Sequence, residues 1–267
     1  MLKDITLGQY YPSDSLLHRL DPRVKLFSTI IFIVTIFLFN NIICFLLVTA
    51  FMIFAIALSK VPPKMMIKGV RAIWVLIAIT AFCNLFFTQG DVILVKAAFI
   101  KITDQGLYNA VFYALRLIYL VVGTSVMTLT TTPNKLTDGM ETALRPLSKL
   151  RVPVHEIAMM MSIALRFIPI LSEEADKIKK AQMARGAAFD EGGLIQRAKS
   201  LIPILVPLFI SAFRRANDLA LAMEARCYHG GEGRTKMKPL KYVRNDYLAY
   251  LFVLVYLAAV IAVRVVL

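Results

Sequence analysis

The sequence predicts an all-α polytopic membrane protein, with about five transmembrane helices and long amphipathic helices on the cytoplasmic side. Hydrophobic residues make up 58% of its 267 residues and charged residues only 18%, whereas about a quarter of the residues in an average soluble domain are charged. The mean hydropathy is +0.69, and the apolar residues are concentrated in long runs. Such a chain is too apolar for an ordinary soluble domain.

Five apolar runs come close to the roughly 17–25 residues that a membrane-spanning helix needs. They are residues 24–39, 42–58, 70–87, 107–129 and 247–267. Asn40 and Asn41 separate the first two runs and predict a tight connection. Trp74 stands near one end of the third run, where an interfacial aromatic residue is typical. Arg116 interrupts the fourth run, and we expect it to face a protein partner or to reach the outer surface, because a lipid-facing charge is costly.

Lysine and arginine are unevenly distributed between the segments that flank these runs. Segments 1–25 and 59–71 hold four each and segment 130–245 holds nineteen, but the loop 88–106 holds two. Five crossings with a cytoplasmic N-terminus place all the rich segments inside the cell, as the positive-inside rule requires. The distribution of the positive charge, which sums to a net +14, therefore indicates how the chain is oriented in the cell membrane. A nucleic-acid partner is not expected.

By composition the chain divides into three parts. Residues 1–130 hold an N-terminal cytoplasmic segment and four transmembrane helices, residues 131–245 form a cytoplasmic helical region, and residues 246–267 form a C-terminal transmembrane helix. Thr132 followed by Pro133 predicts the start of the first cytoplasmic helix, because proline is favoured at the first helical position.

Two longer cytoplasmic helices are expected after this one. Proline at position 153 predicts the start of the second helix, which runs for about 30 residues, or roughly 45 Å, to a stop at Gly186. We expect its apolar part, which includes Arg166, to be too short to span the membrane. The third helix is expected to be kinked by Pro203 and Pro207 and to end at Gly230 and Gly231.

Both long helices contain the tetrapeptide IPIL and end in an arginine between small residues. The motifs are Ala184, Arg185 and Gly186 in the first and Ala225, Arg226 and Cys227 in the second. A single arginine at a helix C-terminus is explained by the helix dipole, which is worth about 0.3–1 kcal/mol. The repetition favours a docking role, because a guanidinium offers a bidentate fork to a carboxylate and small neighbours let a partner approach closely.

Several stretches together resemble the transmembrane T component of energy-coupling-factor (ECF) transporters, which are vitamin and metal importers of the ABC class. The matching stretches are LHRLDPRVKL at 17–26, ALRFIP at 164–169, AMEARCY at 222–228 and the two arginine motifs. The resemblance covers essentially the whole chain. Cys227 replaces a glycine of the family pattern, and we expect this small residue to keep the shape.

The resemblance implies a coupling subunit without catalytic residues of its own. In that family each arginine docks on one of two ABC ATPase subunits, a role that falls here on Arg185 and Arg226. ATP is bound by those subunits, so no cofactor is expected in this chain. A separate membrane S component binds the vitamin or other micronutrient.

A methionine-rich face of the second long helix is a candidate contact for the S component. It comprises Met159, Met160, Met161 and Leu165. Methionine side chains adapt to several partners because they are flexible and polarizable. Ordinary packing between helices of this chain is a nearly equal alternative.

A membrane-embedded enzyme acting on lipid or isoprenoid substrates is the competing class of function. Such enzymes place paired acids or histidines at the membrane surface. The acids of this chain cluster at Glu173, Glu174 and Asp176, but three lysines adjoin them, which is more typical of an ion-paired helix face. The three histidines are isolated, so no metal site is expected.

Overall fold

The protein is described by a computed structural model that covers residues 10–38, 42–88, 93–97, 100–187, 189, 193–231, 237 and 239–266. It confirms the all-α architecture. In chain order the elements are α1 Leu16–Arg19, α2 Pro22–Leu38, α3 Ile42–Ser59, α4 Pro63–Ala72, α5 Trp74–Phe87, β1 Ile93–Ala97, β2 Ile100–Thr103, α6 Asp104–Thr130, α7 Pro133–Leu144, a 3₁₀ helix Arg145–Leu150, α8 Val154–Ala184, α9 Leu194–Ser200, α10 Ile202–Ala225 and α11 Arg244–Val266.

The chain forms two compact units. The bundle unit comprises Gly8–Met140 and Leu240–Leu267, and the hairpin unit includes Glu141–Pro239. In the bundle unit α2, α3, α6 and α11 pack together, and the antiparallel strands β1 and β2 form a short hairpin that the sequence analysis did not predict.

The third predicted span is wrong in its boundaries. Residues 70–87 do not form one helix, because α4 and α5 meet at Ile73 with a bend of 60°. Helix α5 has only 14 residues, about 21 Å at 1.5 Å per residue, which is less than the hydrocarbon thickness of a bilayer. The predicted connection at Asn40 and Asn41 lies outside the described residues.

Among the described residues, five helical segments are long and apolar enough to cross a membrane, and the bent pair α4 and α5 adds a sixth if it counts as one span. The five are Ile42–Ser59, Asp104–Thr130, Val154–Ala184, Ile195–Ala225 and Arg244–Val265. The number agrees with the expectation, but the helices differ. Two of the five, Val154–Ala184 and Ile195–Ala225, were expected to be cytoplasmic. Helix α8 passes with a mean hydropathy of 1.6, so the reason given for excluding it, an apolar part of insufficient length, is wrong.

One core cluster of the bundle unit is formed by α2, α3 and α11. Its buried residues are Phe32, Ile36, Cys44, Val48, Met52, Tyr256 and Val260. Inside it the Thr35 hydroxyl donates to the Phe32 carbonyl at 2.8 Å and accepts a hydrogen bond of 2.9 Å from the Tyr256 hydroxyl. Gly123 of α6 lets the Phe32 ring approach, because a Cβ at position 123 would overlap that ring.

Residues 17–26 make several side-chain contacts at the end of the bundle unit where α2 and α11 begin. The Nε2 of His18 donates to the Tyr11 carbonyl at 2.9 Å, and its Nδ1 lies 2.6 Å from the Ser15 hydroxyl, so the imidazole orders the turn that precedes α2. Arg23 donates to the Asp21 carboxylate and stacks on the Tyr242 ring at 3.9 Å. These contacts join the start of α2 to the segment that precedes α11.

Arg116 is buried inside the bundle unit. The residue is 9% exposed. Its guanidinium carbon lies 5.1 Å from the Tyr113 ring centroid and 5.6 Å from that of Phe37. The expected contact with a partner or exposure at the outer surface is therefore not met. Aromatic faces attract a cation in an apolar setting, so the rings of Tyr113 and Phe37 help to stabilise this charge within α6.

Candidate functional site

Helix α8 confirms the predicted long helix: it begins at Val154 and has 31 residues. It ends in a Schellman motif, in which the Gly186 N–H donates to the Met183 carbonyl and the Ala187 N–H to the Gln182 carbonyl, both at 3.0 Å. Arg185 is the last residue before the chain reverses, and Gly186 has φ of +87°. Glycine suits this position because it adopts the left-handed conformation without steric cost.

Helix α10 ends in the same way. The Cys227 N–H donates to the Glu224 carbonyl at 2.9 Å and the Tyr228 N–H to the Met223 carbonyl at 3.0 Å. Cys227 has φ of +54° and takes the place that Gly186 has after α8. The expectation that cysteine keeps the shape of the motif is confirmed, although a side chain in this conformation costs about 1–2 kcal/mol.

Two details of α10 differ from the expectation. Gly230 and Gly231 do not end the helix, because it stops at Ala225 and the left-handed residue is Cys227. Pro203 does not kink the helix but lies in its first turn, where a missing N–H costs no hydrogen bond, and Pro207 lies inside.

The two arginines are exposed, together with their small neighbours Ala184, Gly186, Ala225 and Cys227. A Cβ built on Gly186 would meet no atom within 4 Å. In the part of the chain that the structure describes, neither guanidinium has a hydrogen bond or an ion pair within the protein. Each motif therefore presents a forked cation on open surface.

Helices α8 and α10 lie antiparallel within the hairpin unit. The Glu174 carboxylate accepts hydrogen bonds from the Ser211 hydroxyl at 2.5 Å and from the Arg215 guanidinium at 3.0 Å. Nearer the end of α8, the Gln182 amide donates to the Pro203 carbonyl at 3.4 Å. Glu174, which belongs to the acidic cluster at 173–176, thus acts as a tie between two helices.

This register places the two arginines at opposite ends of the helix pair. Because residues 174 and 182 lie opposite residues 211 and 203, Met159 lies opposite Arg226. The about 26 residues from Met159 to Arg185 correspond to roughly 39 Å along the helix. Two partners, or two well-separated sites, are needed to contact both arginines.

The four residues of the methionine-rich face differ in their exposure. Met160 and Met161 are 58% and 39% exposed, whereas Met159 and Leu165 are half-buried. The structure thus leaves two of the four residues on the surface of the hairpin unit.

A larger apolar stripe, which was not predicted as a contact surface, runs along α10. Its members are at least half exposed and are Ile202, Leu205, Val206, Phe209, Ile210 and Phe213. Their spacing of three, four, seven and eight residues was a detectable signal of one helix face. We call these six residues the α10 stripe.

The family model described as "Cobalt transport protein", CbiQ, matches residues 13–237 of the chain. The chain is 53% identical over 266 residues to the energy-coupling factor transporter transmembrane protein EcfT of Clostridium kluyveri, an alignment that covers 99% of this chain and 98% of that protein. It is 50% identical over 261 residues to EcfT of Ruminiclostridium cellulolyticum, covering 98% and 97%. The EcfT of Bacillus subtilis is 47% identical over 246 residues, covering 92% and 93%.

Proposed function

Because the chain belongs to the family of energy-coupling factor transporter transmembrane proteins, we propose that it links ATP hydrolysis by two ABC ATPase subunits to the uptake of a vitamin or other micronutrient. It is a multi-pass membrane component of such a transporter. The micronutrient is bound by a separate S component. This chain is the non-catalytic part, and ATP is bound by its partners.

The observation that carries this proposal is the matched construction of the two arginine motifs. Arg185 and Arg226 each follow the last helical residue, each precedes a left-handed residue, and both are exposed. Their separation of roughly 39 Å along the helix pair suits two ATPase subunits, one at each end. A carboxylate pocket on each subunit is the expected receptor, since paired charge-assisted hydrogen bonds give both strength and direction.

The antiparallel pairing of α8 and α10 supports the inference that neither helix crosses the bilayer. The apolar part of α8, residues 154–171, runs beside residues 214–226 of α10. Crossing would therefore take Asp218, Glu224 and Arg226, which lie opposite residues 167, 161 and 159, into the apolar layer, where a charged residue near the centre of the bilayer costs about 2.5–3.5 kcal/mol. We infer that the pair lies along the cytoplasmic surface, as interfacial amphipathic helices do.

The orientation of the chain in the membrane is inferred from the positive-inside rule. The lysine- and arginine-rich segments 1–25, 59–71 and 130–245 are placed in the cytoplasm with the N-terminus. Both ends of the helix pair then face the side on which ATP is hydrolysed. When the two ATPase subunits move together or apart, two anchored ends about 39 Å apart make α8 and α10 follow.

The S component is proposed to rest on apolar surface of the hairpin unit. Met160 and Met161 remain candidates, and the α10 stripe adds more exposed area. The alternative, a membrane-embedded enzyme, is not favoured, because the Glu174 carboxylate is already engaged by Ser211 and Arg215 and the relatives are named as transporter components.

The test is co-purification of the tagged protein from its native host. The variants are Arg185→Ala, Arg226→Ala and the double variant, with Arg197→Ala on the exposed surface of α9 as a matched control. We expect the double variant to recover at least about tenfold less ATPase than the wild type, because charge-assisted contacts are lost at both ends. Unchanged recovery with the double variant, or equal loss with Arg197→Ala, would contradict the docking role.

A further inference from the structure

The bundle unit contains an apolar cavity of about 350 Å³ that the coupling function does not use. Its walls come from α1, α2, α3, α6 and α11. Buried residues such as Val24, Phe32, Met52, Val126 and Val253 line it. The volume is more than twice the roughly 150 Å³ of an apolar cavity that stays dry and binds benzene.

Part of the cavity wall is formed by exposed apolar residues. Leu16, Phe54, Leu248 and Phe252 belong to its lining and are all exposed. Phe54, Leu248 and Phe252 belong to α3 and α11, which are long and apolar enough to cross a membrane, so we infer that an occupant can enter from the bilayer. Water is a poor occupant here, because each buried water needs two to four polar partners and most of the lining is apolar.

The polar part of the lining is confined to one end. Lys25, Ser28, Thr29, Thr130 and Asn245 belong to this part. It lies where α2 and α11 begin and where α6 ends, next to the basic segments that we place in the cytoplasm. The cavity therefore has the polarity of a lipid in the cytoplasmic leaflet, with an apolar body and a polar end at the membrane surface.

Lys25 is the cation at this end. It is 7% exposed, and its ammonium group donates to the Thr130 carbonyl at 2.9 Å. An ammonium group has three donors, and a buried charge requires several partners. Asp21 and Asp246 lie near enough to attract this charge, but among the described residues the Thr130 carbonyl is the one hydrogen-bond acceptor of the ammonium. An anionic group from outside the chain therefore suits the remaining donors.

We propose that this cavity holds one acyl chain of an anionic phospholipid from the cytoplasmic leaflet, with a headgroup oxygen on the Lys25 ammonium. The lipid fills the space between the five helices of the bundle unit that line the cavity. The site is independent of the two arginine motifs, so its failure would leave the coupling proposal intact.

The occupant is tested with the full-length protein in phosphatidylcholine nanodiscs that contain a phosphatidylglycerol with a photoactivatable acyl chain. Ala55 lines the cavity, whereas Ala57 on the same helix is exposed and does not. We expect crosslinks at Met52 and Met127 in the wild type, at least tenfold fewer in Ala55→Phe, and no change in Ala57→Phe. Crosslinks that persist in Ala55→Phe, or that occur only on outward-facing residues, would overturn the proposal.

Two further variants complete the test. Ala249→Phe narrows the cavity from α11 and replaces Ala55→Phe if that variant does not assemble. Lys25→Met removes the cation, and we expect competition between the two lipids, measured by native mass spectrometry, to show an about tenfold weaker preference for phosphatidylglycerol. An unchanged preference would overturn the headgroup contact.

Discussion

The Asp246 carboxylate caps the starts of two helices at once. Its Oδ1 accepts a hydrogen bond of 2.8 Å from the N–H of Asp21, and its Oδ2 accepts one of 2.8 Å from the N–H of Val243. Val243 directly precedes α11, and Asp21 directly precedes α2. A single buried side chain thus ties together two segments that are 225 residues apart in the sequence.

Asp246→Asn is expected to destabilise the bundle unit by about 1–3 kcal/mol, because an amide has one acceptor oxygen and leaves one of the two N–H groups without its acceptor. The measurement is thermal unfolding in detergent. Asp14→Asn is the control, since Asp14 pairs with Arg19 on exposed surface, and we expect no measurable change there. Equal effects of the two substitutions would contradict the double cap.

Asp21 predicts a dependence of stability on acid pH. Burial raises the pKa of Asp21, but hydrogen bonds from the Arg23 side chain and backbone outweigh it, so the pKa lies below the usual 3.8. A depressed pKa stabilises the folded state fully above pH 3.8, and this contribution is lost as the pH falls through the lower folded value. The difference in melting temperature between the wild type and Asp21→Asn should therefore shrink between neutral and strongly acidic pH. A constant difference would exclude this linkage.

We predict that the residues after the two arginines, Gly186 and Cys227, are small chiefly because their backbone is left-handed. Gly186→Ala should destabilise the end of α8 by about 1 kcal/mol although space is free, because φ is positive there. Gly186→Asn should retain the helix end, since asparagine tolerates this conformation. Cys227→Gly should stabilise the end of α10 by about 1 kcal/mol.

Hydrogen exchange of the amides at 186–187 and 227–228 measures these effects. If Gly186→Asn exchanges as the wild type does but recovers less ATPase, the small size also serves the partner's approach. Faster exchange in Cys227→Gly would contradict the backbone explanation.

Labelling from the two sides of the membrane tests whether α8 and α10 lie along the cytoplasmic surface. Cys227 is an exposed native thiol beside Arg226, and Arg185→Cys adds one at the other end of the pair. With Cys83 replaced by serine, an impermeant maleimide should label both positions in inside-out vesicles and neither in right-side-out vesicles. Labelling from opposite sides would mean that the pair spans the membrane.

Much of the fold could be predicted because it depends on local chemistry. Apolar runs, prolines at helix starts and Gly186 as a stop gave the long helices to within a few residues. The break at Ile73 and the early end of α10 could not be predicted. Ile73 has no local signal for a bend, and cysteine at a left-handed position is rare, so glycines at 230 and 231 were the more ordinary choice.

By itself the sequence determined the membrane class, the long helices and the two arginines at their ends, because hydropathy and capping are properties of neighbouring residues. Only the tertiary structure decided that Arg185 and Arg226 lie at opposite ends of an antiparallel pair, through contacts of Glu174 and Gln182 with α10. It also decided that Lys25 lines an apolar cavity. Such relationships depend on which distant segments pack together, and the energy of that packing is shared by residues that no short stretch of sequence contains.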